Sequence, residues 1–161
     1  MNPLASRRLS PDDWALWREL RLQALAESPH AFGSTLADWQ GRADAEQRWR
    51  ARLRDVPFNV VVQRGGTWAG MASGTTCQTN TVELLSMWVA PWARGAGAGD
   101  HLVREVAEWA RAQSARQLVL RVYVGNAAAL SLYRRNGFEQ TSVIKARSAG
   151  RADEVELALA L

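Results

Sequence analysis

Apolar residues change their spacing several times along the chain, and each change predicts a new element of secondary structure. They form short runs between positions 58 and 89, and they recur every three or four residues between positions 102 and 110. Short runs are typical of strands, whereas a repeat near 3.6 residues predicts an amphipathic helix. The pattern predicts strands at 4–9, 58–64, 67–72, 82–89, 118–124, 138–145 and 153–161, and helices at 10–27, 35–54, 100–111 and 127–136.

Residues with special backbone preferences mark the boundaries between these elements. Ser10 can cap a helix whose first position is Pro11. Gly65 and Gly66 supply the positive φ angles of a tight hairpin turn, and Gly137 can end a helix in the left-handed conformation. Because a helix separates the strands at 82–89 and 118–124, we expect these two strands to run parallel to each other.

The length and composition fit one globular domain. A chain of 161 residues with 47% apolar and 22% charged residues can bury a full core, but it is short for two ordinary domains. We therefore expect residues 1–161 to form a single domain of the α/β (α+β) class. Its mixed, twisted sheet should be mostly antiparallel, with six to seven strands and about four flanking helices.

Composition also excludes several kinds of chemistry. The single cysteine rules out an internal disulfide, and one cysteine with two histidines cannot build a cysteine-rich zinc site or suggest a serine triad. We therefore predict no metal. The net charge of +4 comes from arginines scattered over many predicted elements, so no nucleic-acid partner is expected. No apolar stretch is long enough for a membrane span or signal peptide, which favours a cytoplasmic protein without a membrane partner.

The segment from Val89 to Gly99 is the richest in candidate chemistry. It follows a predicted strand, contains Pro91, which ends the strand, and leads into a predicted helix with glycines at positions 95, 97 and 99. Glycines at a helix start remove side chains that would block a ligand, and the first-turn N–H groups carry the positive end of the helix dipole. The segment therefore predicts an anion site suited to phosphate.

Two well-known phosphate-binding motifs do not fit this segment. A Rossmann GxGxxG would need glycine where Asp100 stands, and a P-loop would need GxxxxGK followed by serine or threonine. The residues instead match RxxGxG, as Arg94, Gly97 and Gly99. A second block follows the strand at 118–124 and reads Asn126-x-x-Ala129-x-x-x-Tyr133-x-x-x-Gly137-Phe138, in which Asn126 can cap the short helix.

Together the two blocks resemble the GNAT family of N-acetyltransferases, and the recognisable motifs span residues 82–138. The resemblance implies a central pair of splayed strands, ending at Val89 and Val124, that holds the pantetheine arm of acetyl-CoA through backbone groups of Met87 and Val89. It also implies that the pyrophosphate binds the amides of Arg94 to Gly99. The cofactor-binding residues expected on this basis are Met87, Trp88, Val89, Arg94, Gly95, Ala96, Gly97, Ala98, Gly99, Asn126, Ala129 and Tyr133.

The same resemblance assigns catalytic roles. Tyr133 would point at the cofactor sulfur and protonate the departing thiolate, because the pKa values of a phenol and a thiol, ~10 and ~8.5, are close. A backbone N–H at 87–89 would stabilise the oxyanion. Glu83, four residues before Met87 on what should be the same strand face, would be the base. An alternative for Glu83 is a solvated or ion-paired side chain, with water molecules taking the proton from the amine. An alternative for Tyr133 is a residue that only packs in the core.

The expected reaction is transfer of an acetyl group from acetyl-CoA to a primary amine by direct attack in a ternary complex. The alternatives are a CoA-binding sensor or interaction module without turnover and, more weakly, a nucleotide-phosphate-binding module. The acceptor, a small molecule or a peptide, should be shaped by residues 28–35, 75–80 and 146–152. The sequence leaves its identity and the acyl-chain preference open, and the closing strands are candidates for a homodimer interface.

Overall fold

The computed structural model describes residues 3–146 and 150–161. Its strands and helices, in chain order, are β1 (Leu4–Arg8), α1 (Trp14–Glu27), α2 (Glu46–Asp55), β2 (Phe58–Arg64), β3 (Thr67–Gln78), β4 (Thr81–Val89), α3 (Ala98–Ala112), β5 (Gln117–Tyr123), α4 (Ala127–Arg135), β6 (Glu139–Ile144) and β7 (Glu154–Ala160). Short 3-10 turns precede α1, α2 and α3. Within the described residues there are thus seven strands and four α-helices, which confirms the predicted class.

The seven strands form one mixed sheet in the order β1-β2-β3-β4-β5-β7-β6. All neighbours are antiparallel except β4 and β5, which are parallel and are joined through α3. The predicted hairpin turn is present, with φ angles of 59° at Gly65 and 83° at Gly66. The parallel pair predicted from the intervening helix is confirmed.

Strands β4 and β5 pair only at their beginnings. The paired residues are 81–83 of β4 and 117–119 of β5, so beyond this point the two strands diverge in the middle of the sheet. β4 also contains a bulge: Met71 pairs with Trp88 and Ser73 with Leu85, so one residue of β3 faces two of β4. The bulge includes Ser86 in the left-handed region, at φ 54°. The expected splayed pair is therefore present, and β4 changes face where the gap opens.

Two apolar clusters cover the two faces of the sheet. On one face α3 packs against β2, β3, β4 and β5, and the buried residues there include Val82, Leu84 and Val106. On the other face α1 and α2 enclose a cluster that contains Trp17 and Trp49 of the helices and Val61, Met71 and Trp88 of the sheet. The sheet is therefore a middle layer, and the gap between β4 and β5 opens between two helical layers.

The predicted helix at 35–54 is only half correct. The α-helix covers Glu46–Asp55, whereas residues 37–39 and 41–43 form two 3-10 turns. Gly41 has a φ of 63°, which interrupts a helix, and the chain then bends so that Trp39 stacks on Trp49 at a centroid distance of 4.4 Å. Tertiary packing of the two indoles therefore overrides the helical spacing of the sequence.

The structure changes the description of one segment that was expected to shape the acceptor site. Residues 75–78 belong to β3, so the turn expected at 75–80 is confined to Thr79 and Asn80. The connection at 146–152 lies partly outside the described residues. Among the helices of the described ranges, none has the length and apolar character needed to cross a bilayer.

Candidate active site

A cleft with a volume of about 1110 Å³ occupies the gap between β4 and β5. The cleft is lined by Arg21 of α1, by the loop at 28–34, by Arg52 of α2, by residues of the glycine loop (94–99) that leads into α3, and by α4. Its floor consists of residues 83–89 of β4 and 120–123 of β5. The divergence of the two strands therefore produces one continuous space between the two predicted motif blocks.

The glycine loop meets this cleft at the N-terminus of α3. Gly95 has a φ of 79°, and Gly97, the N-cap residue, has a φ of 89°. Both angles disfavour residues with a β-carbon. A Cβ on Gly95 would meet no atom within 4 Å, and one on Gly97 would meet only Leu4, at 3.9 Å. The loop is therefore an open cradle next to the first-turn N–H groups of a fifteen-residue helix, which fits a diphosphate.

Gly99 has a packing role besides the ligand-binding role that the sequence suggests. A Cβ at this position would approach the side chain of Leu132 on α4 to 3.0 Å, which is tighter than nearly all real Cβ contacts. Gly99 therefore lets α4 pack against the start of α3, in addition to lining the cleft. Of the twelve predicted cofactor contacts, eleven line the cleft and Ala96 does not.

The side chain of Arg94 is engaged within the protein. Its Nε donates to the carbonyl oxygen of Val89 at 3.0 Å, and one Nη donates to Glu27 at 2.9 Å. Glu27, at the end of α1, also accepts hydrogen bonds from Ser28 and from the indole of Trp88, the latter at 2.9 Å. These hydrogen bonds, that from Ser28 foremost, lower the pKa of Glu27 to about 2. The Arg94 side chain thus ties the glycine loop to α1.

Helix α4 is held in place from both ends. The Asn126 side chain accepts a hydrogen bond from the Ala129 amide at 3.2 Å, which is the predicted cap. Near the other end, Arg135 donates two hydrogen bonds to Asp100 on α3, at 2.9 and 3.0 Å. Gly137 has the predicted left-handed φ, 93°. These contacts fix the position of Tyr133 on α4 relative to the glycine loop.

Tyr133 is buried in the wall of the cleft. Its side chain is 6% exposed and packs edge-to-face on Phe138 at 5.6 Å, and the residue lines the cavity. Burial raises the pKa of the phenol above its ordinary value, since the phenolate would be poorly solvated there. Tyr133 therefore remains a neutral hydrogen-bond donor at physiological pH. Both roles foreseen for it, packing and proton donation, are compatible with this position.

Glu83 lines the cleft where β4 and β5 part, since it is the last residue of β4 that pairs with β5. Burial raises the pKa of its carboxyl group, the charge of Arg121 opposes this change, and those of Glu156 and Glu154 add to it. A carboxylate with a raised pKa is a better base. Its placement in the cleft and its pKa fit the role foreseen for it.

The argument that Glu83 shares a strand face with Met87 is wrong. Met87 packs against the same cluster as Val82 and Leu84, whereas strict alternation would place it on the other face. The bulge at Ser86 causes this change. Glu83 alternates with Val82 and Leu84, and therefore points to the face that is covered by α1 and α2. Glu83 and Met87 therefore approach the gap from opposite faces of the sheet.

The sequence analysis missed two arginines that line the cleft, the buried Arg21 of α1 and the half-buried Arg52 of α2. A signal for Arg21 was present: it lies four residues after Trp17 and four before Leu25, within the apolar stripe of the helix. No comparable pattern marks Arg52.

Among residues 3–146 and 150–161, no group of three histidine, cysteine, aspartate or glutamate side chains is placed so that it could hold a metal ion.

Comparison with known proteins tests the family resemblance directly. A model of the acetyltransferase (GNAT) family matches residues 15–138 of this chain. Streptothricin acetyltransferase of Streptomyces lavendulae is 36% identical over 122 residues, which cover 74% of this chain and 64% of that protein. The L-methionine sulfoximine/L-methionine sulfone acetyltransferase of Pseudomonas aeruginosa is 43% identical over 119 residues, covering 68% of this chain and 69% of that protein.

Solved structures show the same fold. The structure of yncA from Salmonella typhimurium with its cofactor acetyl-CoA superposes with a TM-score of 0.74 at 24% identity, and it covers 99% of this chain and 94% of that one. The resemblance drawn from the two motif blocks, and the acetyltransferase class that it implied, are confirmed at the level of the family. The chain belongs to the GNAT family of acetyltransferases.

Proposed function

We propose that residues 1–161 act as one catalytic domain that transfers the acetyl group of acetyl-CoA to a primary amine by direct attack in a ternary complex. Membership in the acetyltransferase (GNAT) family supports the proposal, as does the acetyl-CoA cofactor of one solved structure with the same fold. The chain spans 64% of the length of the streptothricin acetyltransferase it matches, so its own activity and acceptor are proposals. The observation that carries the proposal is the single cleft that joins the glycine loop, Tyr133 and Glu83.

The cofactor would lie along the side of the cleft formed by β4 and the start of α3. The amides of the glycine loop would bind the diphosphate, because they carry the positive end of the α3 dipole and no side chain shields them. Beyond Glu83, the edge of β4 faces the gap instead of β5. The backbone at Met87 and Val89 would pair with the amides of pantetheine as an added strand would. The Val89 carbonyl already accepts one bond from Arg94 and has a second lone pair.

The reaction requires three groups around the thioester carbonyl. Glu83, directly or through water, would accept a proton from the amine as the nitrogen attacks the carbonyl carbon. A backbone N–H at 87–89 would stabilise the oxyanion. When the carbon–sulfur bond breaks, Tyr133 would donate its proton to the thiolate and regain one from water. Burial raises the pKa of the phenol, and it would also make a thiolate in the same cleft a stronger base for this proton.

The proposal is tested by incubating the protein with acetyl-CoA and a panel of amines and measuring the release of free thiol. We expect one free thiol to be released for each acetylated amine, with the product identified by its mass. Tight CoA binding without thiol release for any amine would favour the sensor module. Competition by ATP as strong as that by CoA would favour the nucleotide-phosphate module.

The homodimer remains a proposal. β6 forms an edge of the sheet, and Val143 on this strand is 50% exposed. Pairing of β6 with a second copy would cover this residue and extend the sheet. Light scattering of the purified protein should then give twice the monomer mass of 17.8 kDa, and Val143→Lys should restore the monomer. A wild-type mass of one chain would refute the dimer.

A further inference from the structure

Two arginine side chains line the cleft on the side of α1 and α2. Arg21 on α1 is 8% exposed, and Arg52 on α2 is half-buried. Both line the cleft, together with Phe32 of the loop at 28–34. Burial of a guanidinium is costly unless an anion accompanies it. The contacts of the two groups therefore show whether the protein itself supplies that anion.

Among the residues that the structure describes, the hydrogen-bond partners of Arg52 are all neutral groups. One Nη donates to the amide oxygen of Asn59 at 3.0 Å, and the other to the hydroxyls of Ser73 and Ser86, both at 3.2 Å. Burial lowers the pKa of Arg52 to about 10. The three partners fix the position of the guanidinium, but they do not neutralise its charge.

The Arg21 side chain makes no hydrogen bond or ion pair with another residue of the ranges 3–146 and 150–161. Within the described residues, no acceptor lies within hydrogen-bonding distance of its buried Nη1. The guanidinium stacks over the ring of Phe32 at 4.5 Å. Burial lowers the pKa of Arg21 to about 10, and the positive charge of Arg52 contributes to this change. The two arginines thus form a pair of like charges that the described residues leave without an anion.

The arginine pair lies on the same face of the sheet as Glu83. Ser73, which contacts Arg52, pairs with Leu85 in the β-ladder. Glu83 is two residues before Leu85, on the same face and about 7 Å along the strand. The charges that shift the pKa of Glu83 come from Arg121, Glu156 and Glu154, so Glu83 is not the counterion of the pair. A molecule whose amine reached Glu83 could therefore place an anionic group at the arginines.

We propose that the amine acceptor carries a carboxylate, as a free amino acid does, and that Arg21 and Arg52 bind this carboxylate. This inference rests on the proposed acetyl transfer and narrows its acceptor to an anionic, compact amine. The guanidinium of Arg21, which lines the cleft, would donate to the carboxylate. The position of Arg52 fixes where the carboxylate stands relative to the attacking nitrogen, because three hydrogen bonds already hold that side chain.

Matched acceptor pairs test the proposal. The twenty L-amino acids and their carboxamides are compared by thiol release from acetyl-CoA in the wild type and in Arg21→Met. Hydrogen bonds to a charged group contribute about 1.5–3 kcal/mol, so loss of Arg21 should lower kcat/KM for the preferred amino acid about 10- to 100-fold. In the same variant, kcat/KM for the matching carboxamide should fall less than about 3-fold. The ratio of kcat/KM for the amino acid to kcat/KM for its carboxamide is compared between the wild type and Arg21→Met. The two amines differ in basicity, but this difference is the same in both enzymes and cancels.

Two further variants serve as controls. Arg54→Met, also on α2, removes a positive charge from an exposed side chain that pairs with Asp55 and does not line the cleft, so the ratio should not change. Arg21→Lys keeps the charge and should recover part of the preference. If Arg21→Met fails to fold, as its thermal melt would show, Arg21→Gln replaces it, since glutamine can still donate a hydrogen bond.

The outcomes separate this proposal from the proposed acetyl transfer. Equal preference for amino acid and carboxamide in the wild type, or an unchanged ratio in Arg21→Met, would overturn the carboxylate site while acetyl transfer stands. If no amine releases thiol, binding is measured instead, as the shift of the protein's melting temperature when an amino acid is added. Stabilisation by an amino acid that Arg21→Met abolishes would support the anion site without catalysis, and no stabilisation in the wild type would overturn both proposals.

Discussion

Replacement of Tyr133 with phenylalanine removes one oxygen atom from the wall of the cleft and leaves the ring in place. The ring is 6% exposed and rests on Phe138, so its packing is retained. No hydrogen bond of the phenol to another described residue is present, so the free energy of unfolding should change by less than about 1 kcal/mol. An effect on activity can then be attributed to the missing hydroxyl group.

The expected effect follows from the role proposed for this hydroxyl. Without a donor for the thiolate, kcat should fall about 10- to 10³-fold, which is about 1.4–4 kcal/mol of transition-state stabilisation. Acetyl-CoA affinity should change little, because the hydroxyl acts on the departing sulfur. Burial raises the pKa of the phenol, so the wild type should show no loss of activity from Tyr133 ionisation below the ordinary value near 10.

Thiol release and calorimetry measure the two quantities separately. Initial rates at saturating acetyl-CoA and acceptor, taken from pH 5 to 10, give kcat, and titration with CoA gives the affinity. A thermal melt of the variant shows that the fold is intact. Full activity of Tyr133→Phe across this pH range would remove the hydroxyl from the mechanism and leave Tyr133 as a packing residue.

Three further substitutions test other parts of the site. Glu83 has a raised pKa, so wild-type activity should disappear as pH falls through a value above the ordinary 4.5. Glu83→Gln should lower kcat about 10- to 10²-fold and remove this pH dependence. A pH profile of the variant equal to that of the wild type would favour proton transfer through water without Glu83. Gly99→Val should lower the free energy of unfolding by about 1–3 kcal/mol and weaken CoA binding, because its Cβ would press on Leu132 at 3.0 Å; a thermal melt equal to that of the wild type would contradict the packing role. Glu27 has a pKa lowered from 4.5 to about 2, so its contribution to stability is present above pH 4.5 and is lost as pH falls toward 2. Glu27→Gln should therefore cost about 1–2 kcal/mol at pH 7 and much less near pH 2 in urea titrations, and an equal cost at both pH values would show that its charge is not what matters.

Local signals account for the parts of the fold that the sequence predicts well. The glycine pair at 65–66, the cap at Asn126 and the left-handed Gly137 each depend on the backbone preferences of one or two residues. The parallel pairing of β4 with β5 follows from the helix between them. Because the two motif blocks consist of such signals, most of the candidate cofactor site could be located before the structure was known.

Features that depend on distant contacts could not be located in this way. Ser86 has a positive φ, which its residue type does not favour, so nothing in the sequence marks the bulge that turns Glu83 and Met87 to different faces. The stacking of Trp39 on Trp49 brings together segments whose helical spacing alone suggests one continuous helix. Arg52 is positioned by Asn59, Ser73 and Ser86 from three different strands, which no local pattern reveals.

A crystal structure with bound CoA is the most direct test of the central claim, that the cleft between β4 and β5 holds the acyl donor. The account predicts electron density for the diphosphate against the amides of residues 95–99, with pantetheine along β4 and its sulfur next to Tyr133. Density for the diphosphate at any other surface would contradict the cofactor site and, with it, the roles proposed for Tyr133 and Glu83.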